Sequence, residues 1–206
     1  MNCNAPENQT NGRILLFACA AALAMACTAS LAQPAHAYQL TPPPVPSNIQ
    51  VPAGNEAFLL GRGVGTQNYE CQPSASLGRV AWTLFTPQAT LFSDLDEQLT
   101  THFFSPNPVE GGIVRVTWED SRDTSTVWAR AIASVVVTPG AIPWLLLQKA
   151  GTQVGPTGGD TLSKTTFIQR LNTFGGSAPA TGCDRLTDVG RKVFVPYTAD
   201  YFFYKH

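Results

Sequence analysis

Apolar and polar residues alternate along most of this chain with a period of two, the period of a strand that buries one face. In 64–72, Gln67, Tyr69 and Cys71 fall on one side and Asn68 and Glu70 on the other. In 79–86, Val80, Trp82 and Leu84 share a face, and Gly78 and Pro87 bracket the run. A short strand is predicted at 89–92, running into the acidic turn Ser93-Asp94-Leu95-Asp96-Glu97. Another is predicted at 98–104, ended by Ser105-Pro106-Asn107-Pro108. The runs 113–118 and 124–137 flank the polar turn Glu119-Asp120-Ser121-Arg122-Asp123 and read as a hairpin. Residues 142–148 (IPWLLLQ) are apolar without a break, which predicts a strand covered on both faces, with a helical turn as the alternative. Strands at 165–173 and 193–204 complete the set.

These runs are rich in β-branched and aromatic residues, Gly and Pro punctuate them, and no long helical periodicity occurs. The pattern predicts a single all-β domain, an antiparallel sandwich or a partly closed barrel. Residues 151–159 are rich in glycine but lack the GK[ST] ending of a phosphate cradle, so they are expected to form a surface loop. Upstream, TPPPVPSNIQVP at 41–52 contains three consecutive prolines, which fix φ and remove donors. The stretch 38–52 is therefore expected to be an extended lead-in outside the core, with the domain proper over 53–206.

The N-terminus changes the picture of where the protein works. Polar residues and Arg13 precede an uninterrupted apolar run from Ile14 to Ala26, and Ala35-His36-Ala37 supplies a small-x-small cleavage site. The run is shorter than the roughly 20 residues of a membrane span. It has the length and flanks of a secretory signal peptide over 1–37, with Ser30-Leu31-Ala32 as a second possible cleavage site. The expected location is secreted or periplasmic, with no membrane span left after cleavage. Lipid attachment at Cys19 or Cys27 is the weaker alternative, since Ala24 stands where a lipobox carries a bulky aliphatic.

Cleavage would remove Cys3, Cys19 and Cys27 and leave Cys71 and Cys183. Two cysteines in an exported chain have one possible pairing, so a bridge between the beginning and end of the domain is expected, two buried free thiols being the alternative. Glu7 and Arg13 leave together, so the formal net charge stays at −1. A nearly neutral chain with no basic run gives no footprint for nucleic acid or anionic lipid.

The residues also carry a family resemblance. Val51-Pro52-Ala53-Gly54, the run Gly63-Val64-Gly65-Thr66-Gln67-Asn68-Tyr69-Glu70-Cys71 and Trp82 resemble the opening of the DUF3455 family. The resemblance continues through Pro87 to Phe92, Thr101-His102-Phe103, 140–146, Ile168-Gln169-Arg170-Leu171-Asn172-Thr173, Gly182-Cys183 and 195–204. The sequence departs at Phe104-Ser105-Pro106-Asn107-Pro108, where many members carry a different loop. The resemblance implies an exported domain and no particular chemistry. A malate dehydrogenase label carried by some relatives is not supported here, because no GxGxxG lies on a strand-turn-helix.

Catalytic material is thin. His102 is the only histidine between the leader and the final residue, and no G-x-S-x-G elbow is present. Its expected role is a polar one near a strand end beside the 105–108 loop; a hydrolase using it as general base is the alternative. Asp94, Asp96 and Glu97 lack the spacing of an EF-hand and read as a solvated turn. No metal site and no cofactor are expected. Gln169 with Leu171 and Thr173, and Arg170 with Asn172, alternate across one strand and offer planar polar groups for a groove or for a buried network. Arg170 beside Asp184 or Asp200 would be an ordinary ion pair. Of the aromatics Trp118, Trp128, Trp144, Tyr197, Tyr201 and Tyr204, most are expected in the core. The candidate binding surface is His102, Gln169, Arg170, Asn172, Trp144 and Tyr69. The expected activity is non-catalytic binding of a small molecule, glycan or protein partner.

Overall fold

A computed structural model describes residues 40–74 and 79–206. The leader read at 1–37, the first two lead-in residues and the turn at Gly78 lie outside it. The described residues form eight strands: β1 Glu56–Ser74, β2 Arg79–Phe92, β3 Gln98–Asn107, β4 Ile113–Asp120, β5 Thr126–Val135, β6 Trp144–Gln153, β7 Phe167–Gly175 and β8 Lys192–Lys205. Each pairs antiparallel with the next in sequence, and β1 pairs with β8 to close a barrel. Closure removes the sheet edges that a sandwich would leave. Of the two architectures the alternation allows, the barrel is adopted, and it is fully closed.

Alternation assigns the two faces. Leu91, Trp118, Val127, Leu147, Ile168 and Phe203 come from different strands, are buried, and form one cluster inside the barrel. Eight strands leave an interior just wide enough for side chains to fill. The inward positions of β1 are glycines where the ring of aromatics needs room: a Cβ on Gly63 would lie 2.7 Å from the Tyr201 ring.

One end of the barrel, where β6 leaves and β7 enters, is plugged. The connection between them carries Leu162, which is fully buried in the interior cluster. Leu162 donates its N–H to Ser125 Oγ, and Asp123 accepts both the N–H and the hydroxyl of Thr161. Burial pushes the Asp123 carboxyl up, but hydrogen bonds from Ser125 and Thr161 outweigh it and leave it below the usual carboxylate range. The glycine-rich segment is thus not a plain surface loop: residues 151–153 belong to β6 and the remainder leads into the plug.

The lead-in corrects a second expectation. It is extended, but it packs on the outer face of the barrel. Ile49, on a 3-10 turn over Ser47–Ile49, is fully buried with Leu146, Leu171, Phe202 and Tyr204, and Leu40, Val45 and Val51 flank it. Proline removes backbone donors, yet an extended chain can still bury the apolar side chains between its prolines. This also explains the apolar run of β6: Leu145 and Leu147 face the interior cluster, while Leu146 is covered by the lead-in.

Two prolines predicted to end strands sit inside them. Pro87 lies within β2 and Pro106 within β3. The β2–β3 ladder runs only from Ala89–His102 to Phe92–Gln98. Beyond Ala89 and His102 each strand lacks a ladder partner on that side, which is the edge position that tolerates proline. Thr86 Oγ1 accepts the N–H of Phe104 across the seam.

Cys71 at the end of β1 is bonded to Cys183, with Cα atoms 5.5 Å apart and 112 residues between them in sequence. The bridge packs with Val80 and Trp82. It ties the connection between β7 and β8 to the end of the barrel opposite the plug.

Candidate functional site

His102 sits in β3 opposite Trp118 of β4 and points inward, not toward a loop. Residues 105–107 are strand, so the expected neighbouring loop begins only at the 3-10 turn Pro108–Glu110. The imidazole stacks on Trp118, with centroids 4.3 Å apart and planes 15° from parallel, and Tyr201 is 5.3 Å away. Its Nδ1 lies 2.9 Å from the Thr117 carbonyl oxygen. A carbonyl only accepts, so Nδ1 carries the proton and Nε2 the lone pair in the neutral ring. Burial drives the pKa down to about 3, the Thr117 carbonyl opposes this, and the positive charge of Arg170 adds to it. No serine or aspartate among the described residues hydrogen-bonds to it.

Arg170 is the second inward polar group. It pairs with Leu145 of β6 and Tyr201 of β8. Directly paired residues share a face, and Leu145 packs on the interior cluster. The guanidinium donates from Nε at 3.1 Å and from one terminal nitrogen at 2.9 Å to the Pro143 carbonyl. Neither aspartate expected to pair with it does so. Asp200 points outward and takes Arg62 at 2.9 Å and the Asn172 amide at 2.7 Å. Asp184 accepts from Gly182 N–H. Among the described residues Arg170 has no carboxylate partner. Burial raises the hydroxyl pKa values of Tyr69 and Tyr201, and the Arg170 charge pulls both the other way.

Around Arg170 the interior is polar. The Tyr197 and Tyr201 hydroxyls are 3.0 Å apart, and the Gln67 side chain reaches Tyr197. Tyr69 donates to Gly176 O at 2.7 Å. Gln67 is buried, and its Nε2 has no hydrogen-bond partner. Sequence reading missed Gln67, Tyr197 and Tyr201 as members of this group. The first two signals available were the strict alternation Gln67-x-Tyr69 and Tyr197-x-x-x-Tyr201, which put polar groups on an inward face.

The remaining candidates lie elsewhere. Gln169 faces outward under the lead-in, donates to Ile49 O at 2.7 Å and accepts from Tyr204. It is a clamp for the lead-in. Trp144 is partly buried in the same outer cluster. Asn172 sits at φ 50° beside the β7–β8 bulge, so it turns outward instead of following Arg170 inward. It lines a groove of about 400 Å³ with Arg62, Asp200 and Thr41 of the lead-in. Trp118, Trp128, Tyr197, Tyr201 and Tyr204 are all buried. Asp94 and Glu97 pair with Arg62 and Arg122. Among the described residues no group of three or more potential ligands stands ready for a metal ion, and no helix is long and apolar enough to cross a membrane.

Fold and interior together define a closed, antiparallel, eight-stranded barrel, plugged at one end, with an arginine and a cluster of tyrosines inside the other half. The chain belongs to the DUF3455 family, described as proteins of unknown function, whose pattern matches residues 52–205. No curated protein and no solved structure matches it.

Proposed function

We propose that the protein is exported, loses residues 1–37, and acts in the periplasm or outside the cell as a non-catalytic module that binds a small molecule inside the half of the barrel opposite the Leu162 plug. The observation that carries this reading is Arg170, an inward-facing cation with no carboxylate partner among the described residues and with tyrosine hydroxyls around it. Closed barrels of this size hold one small ligand or none. An interior site favours a small molecule over a glycan or a protein, because the large aromatics that would stack on a sugar are buried. The disulfide is consistent with an oxidising compartment.

His102 supports the non-catalytic part. A ring with a pKa near 3 is a weak proton acceptor at neutral pH, and its ordered partner is a backbone carbonyl. The hydrolase alternative requires a base tuned near the working pH. The test is a binding screen by native mass spectrometry and thermal shift on the exported protein, using neutral, anionic and cationic small molecules and oligosaccharides, with N-terminal sequencing of the same sample. The expected result is a start near Tyr38 and saturable binding of at least one small-molecule class without turnover. Intact Met1, or no binding across the screen, would overturn the reading.

A further inference from the structure

We propose that the ligand is a small monocarboxylate with a short apolar tail, its carboxylate held by Arg170 and its tail in the cavity beside Leu145; this rests on the binding-module reading above. The cavity has a volume of about 190 Å³ and is walled by Phe104, Val116, Ala129, Ala131, Leu145 and Leu147. At about 30 Å³ per water this is roughly six waters' space, enough for a tail of a few carbons. Leu145, one wall of the cavity, is the direct cross-strand partner of Arg170. Paired side chains in an antiparallel ladder have Cβ atoms about 5 Å apart, so the Arg170 side chain leaves the barrel wall next to Leu145, beside the apolar space and not among the residues that line it.

The charge balance selects the head group. Arg170 is held in place by the Pro143 carbonyl and also bonds the Tyr201 hydroxyl; a guanidinium has five N–H donors, so donors remain for a ligand. Planar guanidinium matches planar carboxylate. The other arginine at the cavity, Arg115, is already clasped by both oxygens of Glu110, at 2.7 Å and 2.8 Å. Among the described residues Arg170 is then the arginine here without a carboxylate partner, and a single such charge fits a monoanion better than a phosphate or a dicarboxylate. An independent observation points the same way: the buried Gln67 amide leaves Nε2 without an acceptor in this same cluster. A carboxylate would supply one.

The test is isothermal titration of the purified protein with hexanoate, with hexan-1-ol as the neutral analogue of equal length and acetate as the head group alone. We expect saturable hexanoate binding, at least 10-fold tighter than hexan-1-ol or acetate. Arg170→Gln should weaken hexanoate at least 10-fold while leaving hexan-1-ol within 2-fold. Ala131→Phe, at an exposed position of the cavity wall, should block both without touching Arg170. Equal binding of hexanoate and hexan-1-ol, or hexanoate binding unchanged in Arg170→Gln, would overturn the carboxylate assignment and leave the binding-module reading standing. Binding of neither probe, with another class bound in the wider screen, has the same meaning. If Arg170→Gln does not fold, the wild-type probe comparison and Ala131→Phe decide.

Discussion

The imidazole of His102 lies flat on the indole of Trp118, 4.3 Å between ring centroids, in a part of the barrel where His102 is only 3 % exposed. Protonation would place a charge there with Arg170 nearby and no carboxylate on it. The unfolded chain titrates this residue near its ordinary value of 6.5, the folded one near 3. Between those values the unfolded state binds more protons, so stability falls as pH falls. From pH 6.5 to 4.5 the loss from this group alone is about 2–3 kcal/mol. Urea unfolding across this range should show that slope in the wild type and a flatter one in His102→Gln, which should itself be less stable at pH 7 by about 1–3 kcal/mol. A wild-type stability flat over pH 7 to 4.5 would contradict the buried neutral ring.

Reducing the Cys71–Cys183 bond releases a closed loop of 112 residues. The expected destabilisation is about 2–5 kcal/mol. Non-reduced peptide mapping should give one cross-linked pair, and denaturant midpoints with and without reductant should differ. Two thiols open to alkylation in the native oxidised protein would rule the bond out.

Ile49 should behave as a core residue although it lies outside the barrel wall. Ile49→Ala should cost about 2–4 kcal/mol, because it empties a site enclosed by Leu146, Leu171, Phe202 and Tyr204. Gln169→Ala should cost less, about 1–2 kcal/mol, by removing the amide that bonds the Ile49 carbonyl. Chemical denaturation measures both; an Ile49→Ala variant as stable as wild type would mean the lead-in does not dock.

Asp123 should hold the plug. Its depressed carboxyl contributes stability at pH values above the ordinary carboxyl range, and that contribution is lost as pH falls through the lower folded value. Asp123→Ala should free the Thr161 N–H and hydroxyl and cost about 1–3 kcal/mol. Hydrogen exchange should rise first at 154–166, before the strands. Unchanged exchange there would refute the role.

Much of the fold was legible because alternation is a local signal. Val80-x-Trp82 and Trp118 declare their faces without knowledge of partners. Barrel closure was not legible, since it depends on Glu56–Lys205 and Glu70–Lys192 pairing across the whole domain. The prolines misled for a related reason: Pro87 and Pro106 break a strand only where both sides are paired, and the seam between β2 and β3 leaves one side free. Arg170 and Asn172 were read on one face because a bulge is invisible in the alternation; the bulge turns Asn172 to solvent and leaves Arg170 inside. Tyr69, His102 and Arg170 were on the candidate list, and the structure gathers those three. Gln169 and Trp144 were polar and aromatic for another purpose, securing the lead-in.

The pairing of β1 with β8 also sets an order of events in time. A chain that emerges N-terminus first, from a ribosome or through a membrane channel, presents β1 long before its second partner exists. One side of a 19-residue strand then stays unmatched until the last residues, 192–205, arrive. An unpaired strand edge is a template for pairing with other chains, and closure across the full length of the domain is slow by its topology. The protein is therefore most vulnerable to aggregation and proteolysis in the interval before its C-terminus is delivered, and any truncation there leaves the emerging molecule permanently in that interval.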